Sequence, residues 1–200
     1  MAVIISPAYA NSAAYPLTHA RIGYKSILTT GSTTASSSQT NFPVDALSNP
    51  ATYERWRPAA LPATVTVDAG QPVDADYIGI AVHSLGTEGC TVTLQKSDDE
   101  ASWDDIDTVE FNSDDAFMLM FKNATARYWR LYIDGENNLP FIGALNIGEV
   151  LSMQRPVYGG HTPGKLNRST EFKSNKSETG QFLGRSIVRK GYSESFNWKN

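Results

Sequence analysis

From Thr64 onward, apolar and polar residues alternate with a period of two. Val65 and Val67 share one face. Ile78, Ile80 and Val82 share a face in the next run, then Val92 and Leu94, and later Trp129, Leu131 and Ile133. Successive side chains of a strand point to opposite faces, so these runs read as half-buried β-strands. Between them lie Ala69-Gly70-Gln71-Pro72, Gly86-Thr87-Glu88-Gly89, Asp98-Asp99-Glu100 and Asp134-Gly135-Glu136-Asn137-Asn138, which carry the turn chemistry of antiparallel connections. Several short strands at this spacing predict an all-β sandwich. The run Phe117 to Phe121, FMLMF, is apolar on both faces, as expected of a central strand covered on each side or an edge pressed against another subunit.

The flanks read differently. In residues 1–30, Pro7 and Pro16 discourage a long helix, and the aromatic-punctuated sequence predicts extended chain lying on a surface. Gly31 to Asn41 is a Ser/Thr-rich loop leading into the sandwich. After Met153 the glycines and proline of GGHTPGKLNRST read as a linker. The following QFLGRSIVRKGYSESFNW is strand-forming but lacks the apolar partners for its own core. The expected organisation is an extended arm over 1–34, a sandwich over 35–152 that folds without its arms, and a basic C-terminal arm or start of an assembly segment over 153–200.

With 40% hydrophobic and 19% charged residues, the chain belongs with globular rather than disordered proteins. The single cysteine, Cys90, excludes an intramolecular disulfide framework and fits a reducing compartment of synthesis. No signal peptide is expected. No apolar stretch approaches the ~20 residues needed to cross a bilayer, so no membrane insertion is expected either. The net charge of −4 hides a split: residues 1–154 hold 8 Lys+Arg and 18 Asp+Glu (8 − 18 = −10), and residues 155–200 hold 9 and 3 (9 − 3 = +6). The basic residues of the tail are diluted among Ser, Thr, Gly and Asn. They lack the dense runs that neutralise phosphates, which argues for an acidic protein neighbour over nucleic acid.

Catalytic signatures are lacking. His19, His83 and His161 fall in different regions without a metal-binding spacing, and no Gly-x-Ser-x-Gly elbow occurs. No catalytic residue, metal site or cofactor is expected. The carboxylates Asp98-Asp99-Glu100 and Asp104-Asp105 have oxygen ligands for Ca²⁺, but they flank a hairpin tip where water solvates acidic residues, and they lack EF-hand spacing.

Five landmarks occur in order: FPVDALSNPATYERW (Phe42 to Trp56), TVTVDAG (Thr64 to Gly70), SDDEASW (Ser97 to Trp103), RYWRLYI (Arg127 to Ile133) and LNIGEV (Leu145 to Val150). Together they resemble the discoidin, or coagulation factor 5/8 type C, branch of the galactose-binding-like β-sandwiches, over roughly residues 35 to 152. Three positions depart from the family pattern. Leu47-Ser48-Asn49 stands for Asp-Gly-Asn, removing a carboxylate expected near a structural cation; Ala69 stands for Leu; Glu100 stands for the hairpin Gly. The flanks SPAYANSAAYPLTHARIGY and GRSIVRKGYSESFNWKN resemble tailed-bacteriophage tail proteins that join such a module to an assembly segment. The resemblance implies a discoidin-like jelly-roll β-sandwich with N- and C-terminal arms. It also implies a non-enzymatic structural part of a virion tail, near the tail tip or baseplate, made in the host cytoplasm. Its partners would be other tail proteins and copies of itself.

The alternative function is a carbohydrate-binding module that adsorbs to host surface glycans. Sugar recognition needs an aromatic plate and planar donors, which Tyr53, Arg55 and Arg57 supply, and His83 at the end of a neighbouring strand joins them as a candidate. Against this, Trp56 reads as the family's buried loop anchor, and Arg55 or Arg57 as a partner for Asp68 or Asp76. In RYWRLYI, alternation places Tyr128, Arg130 and Tyr132 on the outer face, a stripe of interface type. Tyr9, Tyr15, Tyr24, Tyr192, Phe196 and Trp198 in the arms are further interface candidates.

Overall fold

The computed structural model describes residues 2–49, 53–135, 138–156 and 168–192. In chain order the strands are β1 (Ala2–Ile5), β2 (Arg21–Gly23), β3 (Ser32–Ala35), β4 (Ala63–His83), β5 (Thr91–Ser97), β6 (Asp104–Glu110), β7 (Phe117–Asp134), β8 (Ile142–Gly148), β9 (Val150–Ser152), β10 (Arg168–Lys176) and β11 (Phe182–Tyr192). One short helix, α1 (Pro7–Ser12), follows β1, and 3-10 turns occupy Ile27–Thr29 and Val44–Ser48.

Two long strands, β4 and β7, each serve both layers of a sandwich. Residues 63–68 of β4 pair with 128–133 of β7; after a register shift, 77–80 of β4 pair with 117–120 of β7. The bend in β4 falls where turn chemistry was read: Gly70 adopts φ +77°, which costs glycine nothing, and its N–H donates to Asp68 Oδ1 at 2.7 Å. The first halves of this pairing carry β3, β5 and β6, and the second halves carry β1 and β8. Val65, Val67, Leu94, Trp129 and Leu131 from one layer and Ile78, Ile80, Leu119, Ile142 and Ile147 from the other form one buried cluster. The fold is therefore an all-β, discoidin-like sandwich.

Val82 is the exception to the alternation. It has φ +54°, outside the region a β-branched residue prefers, and its side chain is exposed. The left-handed residue shifts the pattern by one, so His83 rather than Val82 turns inward.

The surface on which the N-terminal segment lies is the sandwich itself. Ala2–Ile5 pair in parallel with Phe117–Met120, and Arg21–Gly23 pair with Val150–Ser152. Helix α1 begins at Pro7, where proline lacks only an N–H that would be unbonded anyway, and Ser6 Oγ accepts from the Tyr9 N–H. The Tyr9 side chain packs with Tyr77, Met120 and Val150. Thus FMLMF is covered on both faces, Leu119 by the main core and Met120 by this second cluster. Ile27 and Leu28 also belong to the main core, so buried apolar side chains are not confined to 35–152. Residues 1–17 and 21–152 form one compact unit, and 18–20 with 153–200 form another.

In that second unit β10 and β11 make an antiparallel two-stranded ribbon in which Phe172 lies opposite Ile187, with the Arg185 guanidinium 4.4 Å from the Phe172 ring centroid. His19 Nδ1–H donates to the Met153 carbonyl at 3.0 Å. His161, Phe196 and Trp198 lie outside the described residues, as does the Tyr192 side chain.

Candidate functional site

Residues 41–49 and 53–55 line an open cleft. Asn41 takes a left-handed conformation, φ +69°, which asparagine tolerates better than most residues. The Phe42 N–H closes the turn onto the Gln39 carbonyl at 3.0 Å. Pro43 then opens the 3-10 turn at Val44–Ser48, which buries Ala46 and Leu47. This burial accounts for the departure at position 47: leucine fills core space where a carboxylate would need a cation. Trp56 holds the far side of the segment. It is 0% exposed, its Nε1–H donates to Ser38 Oγ at 3.0 Å, and its backbone bridges Ile142 through hydrogen bonds of 2.9 and 3.0 Å. These contacts pin the turn on one side and Trp56 on the other, beside which Tyr53, Glu54 and Arg55 line the cleft.

The cleft has a volume of about 570 Å³ and is lined by Asn41, Asp45, Asn49, Tyr53, Glu54 and Arg55 together with Phe42, Pro43 and Ala46. Tyr53 is 80% exposed, an unusual state for an aromatic of this size. Asn49 Nδ2 donates to Glu54 Oε2 at 2.6 Å, orienting both groups. The Arg55 guanidinium carbon lies 4.3 Å from the centroid of the Phe141 ring, a cation–π contact that restrains this cleft-lining side chain. The cleft thus offers a stacking plate beside a carboxylate, amides and a planar donor, the equipment for polyhydroxylated or acidic ligands.

Of the four ligand candidates, Tyr53 and Arg55 line this cleft and the other two have structural roles. Arg57 Nε and Nη2 both donate to the Leu139 carbonyl, at 3.1 and 2.8 Å, so its fork is spent on tying a loop. His83 is 3% exposed; its Nδ1 accepts from the Leu85 N–H at 3.3 Å while Nε2–H donates to the Asp115 carbonyl at 2.8 Å. Burial pushes its pKa below the usual histidine value, which favours the neutral ring that these two bonds require. Sequence alone does not single out Asn41, Asp45 and Asn49 as ligand contacts, and it offers Glu54 only as a neighbour of Tyr53 and Arg55. The available signal was the proline-led turn, which brings polar side chains back beside Tyr53.

The remaining polar candidates are equally well placed. Asp68 is held by Arg127, not by Arg55 or Arg57: Nε to Oδ1 and Nη2 to Oδ2 are each 2.8 Å. That guanidinium, with the Gly70 N–H, draws the Asp68 pKa down to about 2. Asp99 accepts from the Ala101 and Ser102 N–H groups at 2.9 and 2.8 Å and from Ser97 Oγ at 3.0 Å, which lowers its pKa to about 2. This carboxylate caps its hairpin turn. Among the described residues no three His, Cys, Asp or Glu side chains converge into a cation site. Burial pushes the Cys90 thiol up to about 11, leaving it an inert core residue.

The interface candidates divide as well. Tyr9 is buried within its own chain, and its hydroxyl accepts from Arg21 Nε at 2.8 Å. Tyr15 is half-buried, and its carbonyl takes Arg21 Nη2 at 2.7 Å. Tyr24 is exposed beside the Lys25–Glu149 ion pair. Tyr128, Arg130 and Tyr132 are half-buried on the outer sheet face, where Arg130 donates to Gln95 Oε1 at 2.7 Å and lies 3.9 Å from the Trp103 ring centroid.

No protein-family profile and no curated protein sequence matches the chain. Solved structures do. A pectin-binding carbohydrate-binding module superposes with a TM-score of 0.51 at 22% identity, over 58% of this chain and 88% of the module. A family 32 module of a Clostridium perfringens protein, solved with GalNAc-β-1,3-galactose, gives 0.55 at 15% identity, over 62% and 99%. A chitosan-binding module from a Paenibacillus chitosanase/glucanase gives 0.53 at 17%, over 62% and 98%. These likenesses define the class of fold: the discoidin-like sandwich of carbohydrate-binding modules, here with a further unit after it.

Proposed function

We propose that this chain is a non-catalytic glycan-binding protein whose site is the cleft around Tyr53. The observation that carries the reading is a tyrosine 80% exposed, set between Arg55, Glu54 and Asn49 on a segment anchored by a fully buried tryptophan. A pyranose ring presents an apolar face to such a plate while its hydroxyls meet the amide, carboxylate and guanidinium. The fold it shares with modules solved as pectin-binding, chitosan-binding or with GalNAc-β-1,3-galactose supports the same class of ligand. Screening the full chain on a glycan array, followed by calorimetry on the best ligand, tests this. Tyr53→Ala should abolish the array signal at unchanged melting temperature. Equal binding by parent and variant, or no glycan bound at all, would sink the proposal.

A second role, as a structural part of a bacteriophage tail, is supported by the resemblance of the flanks and by the exposed Phe182, Leu183, Ile187 and Val188 of β11. The two roles are compatible: a virion subunit that displays a glycan site attaches particle to host. Antibody labelling of purified particles tests the virion role directly, and particles that do not label would remove it.

A further inference from the structure

The outer strand of one layer and the terminal ribbon carry opposite charge, and among the described residues each has an unpaired backbone edge. Strand β6 ends the order β3-β4-β7-β5-β6, so one side of its backbone has no strand partner among the described residues. Between Ser97 and Glu110 the chain holds seven carboxylates and no basic residue (0 − 7 = −7), four of them within β6: Asp104, Asp105, Asp107 and Glu110. Lys96, on the inner neighbour β5, approaches Asp104 only to 3.7 Å. The ribbon β10–β11 contains six basic and two acidic residues (6 − 2 = +4). Strand β11 alone has Arg185, Arg189 and Lys190 with no acidic residue.

An isolated two-stranded ribbon is marginal in water, and this one leaves Phe182 62% and Leu183 67% exposed, with Ile187 and Val188 also open. It calls for a third strand. Charge on an edge strand normally prevents pairing with its own kind. Two β6 edges therefore repel, as do two β11 edges, whereas β6 beside β11 pairs a strand of four acidic residues with one of three basic residues.

We infer that β11 of one copy adds to the β6 edge of a second copy of this chain, extending its five-stranded layer. The occupant is chosen by charge: each copy carries both the acidic edge and the basic ribbon. The contact uses two different surfaces, so it is head-to-tail, and repeated copies close into a ring or run on as a filament. Strand addition provides main-chain hydrogen bonds, and the charges set partner and register. The inference is independent of the glycan cleft, which lies on other elements.

Full-length protein at about 50 μM should sediment as an oligomer in 50 mM salt and dissociate in 500 mM, where screening shortens the range of these charges to a few ångströms. Asp104→Lys, Asp105→Lys and Glu110→Lys together turn β6 basic (3 − 1 = +2) and leave both surfaces basic, and Arg185→Glu, Arg189→Glu and Lys190→Glu together turn β11 acidic (0 − 3 = −3) and leave both acidic. Each triple variant should sediment as a single chain, with circular dichroism and melting reporting an intact sandwich. Mixed in equal amounts, the two restore opposite charges at every junction and should reassociate. A monomeric parent, association that survives either reversal in a folded variant, or a mixture that stays monomeric would each overturn the inference.

Discussion

Arg55 lies with its guanidinium 4.3 Å above the ring of Phe141, a residue 86 positions further along the chain (141 − 55 = 86). The contact fixes the orientation of one of the two sequence-identified residues that reach the cleft. At an exposed site such a cation–π contact contributes ~0.5–1 kcal/mol. Phe141→Ala should therefore weaken glycan affinity by about two- to fivefold. Arg55→Lys should weaken it further, because an ammonium has no planar fork to present. Calorimetry on the best array ligand measures both; unchanged affinity in both variants would remove Arg55 from the site.

Tyr53 and Trp56 are three residues apart and have opposite duties. Tyr53→Ala should reduce affinity about tenfold or more with no loss of stability, since stacking on the ligand is its contact. Trp56→Ala should destabilise by ~3–5 kcal/mol, because it empties a fully buried site and removes the indole N–H that donates to Ser38 Oγ. Denaturant titration beside binding isotherms separates the two effects.

Glu100 occupies a left-handed position, φ +62°, at the tip of the β5–β6 hairpin, a conformation that favours glycine. A side chain there costs ~1–2 kcal/mol, and Glu100→Gly should recover about 1 kcal/mol of it, raising Tm by roughly 2–4 °C. Glu100→Ala removes the same charge but keeps the Cβ. Little or no gain in that variant would assign the effect to backbone conformation rather than to charge.

The acid limb of stability should depend on Asp68 and Asp99. Both carboxyls have folded-state pKa values of about 2, below the ~3.9 of an unfolded aspartate. A depressed folded pKa gives stability that is fully present above the unfolded value and lost as pH falls from about 4 through 2. Asp76 acts in the opposite sense: burial raises its pKa, so its ionisation opposes folding as pH rises. Asp68→Asn should flatten the fall in Tm between pH 4 and pH 2, and a series of melts across that range checks it.

Much of the sandwich was legible because a strand's period of two survives wherever one face is buried. Val65, Val67, Trp129, Leu131 and Ile133 are all inside, as alternation requires. Val82 broke the pattern because a left-handed residue shifts parity, and local sequence does not reveal it. Tyr9, Ile27 and Leu28 were illegible as core because each reaches it singly from a helix or turn, with no repeating face to betray burial. Within the cleft, Tyr53 and Arg55 were readable as residue types suited to ligand contact. Arg57 looks equivalent in sequence, but its partner, the Leu139 carbonyl, lies 82 residues away. His83 was misleading for the same reason: its two hydrogen bonds come from a neighbouring loop and from its own turn.

The parallel pairing of Ala2–Ile5 with Phe117–Met120 also imposes an order of events during synthesis. β1 leaves the ribosome ahead of β7, its partner strand, which begins 115 residues later (117 − 2). At ~5–20 residues per second the apolar Val3-Ile4-Ile5 therefore waits roughly 6–23 s without its mate. In that interval the nascent chain exposes a strand that is already competent to pair, and a chaperone would meet it before the sandwich can.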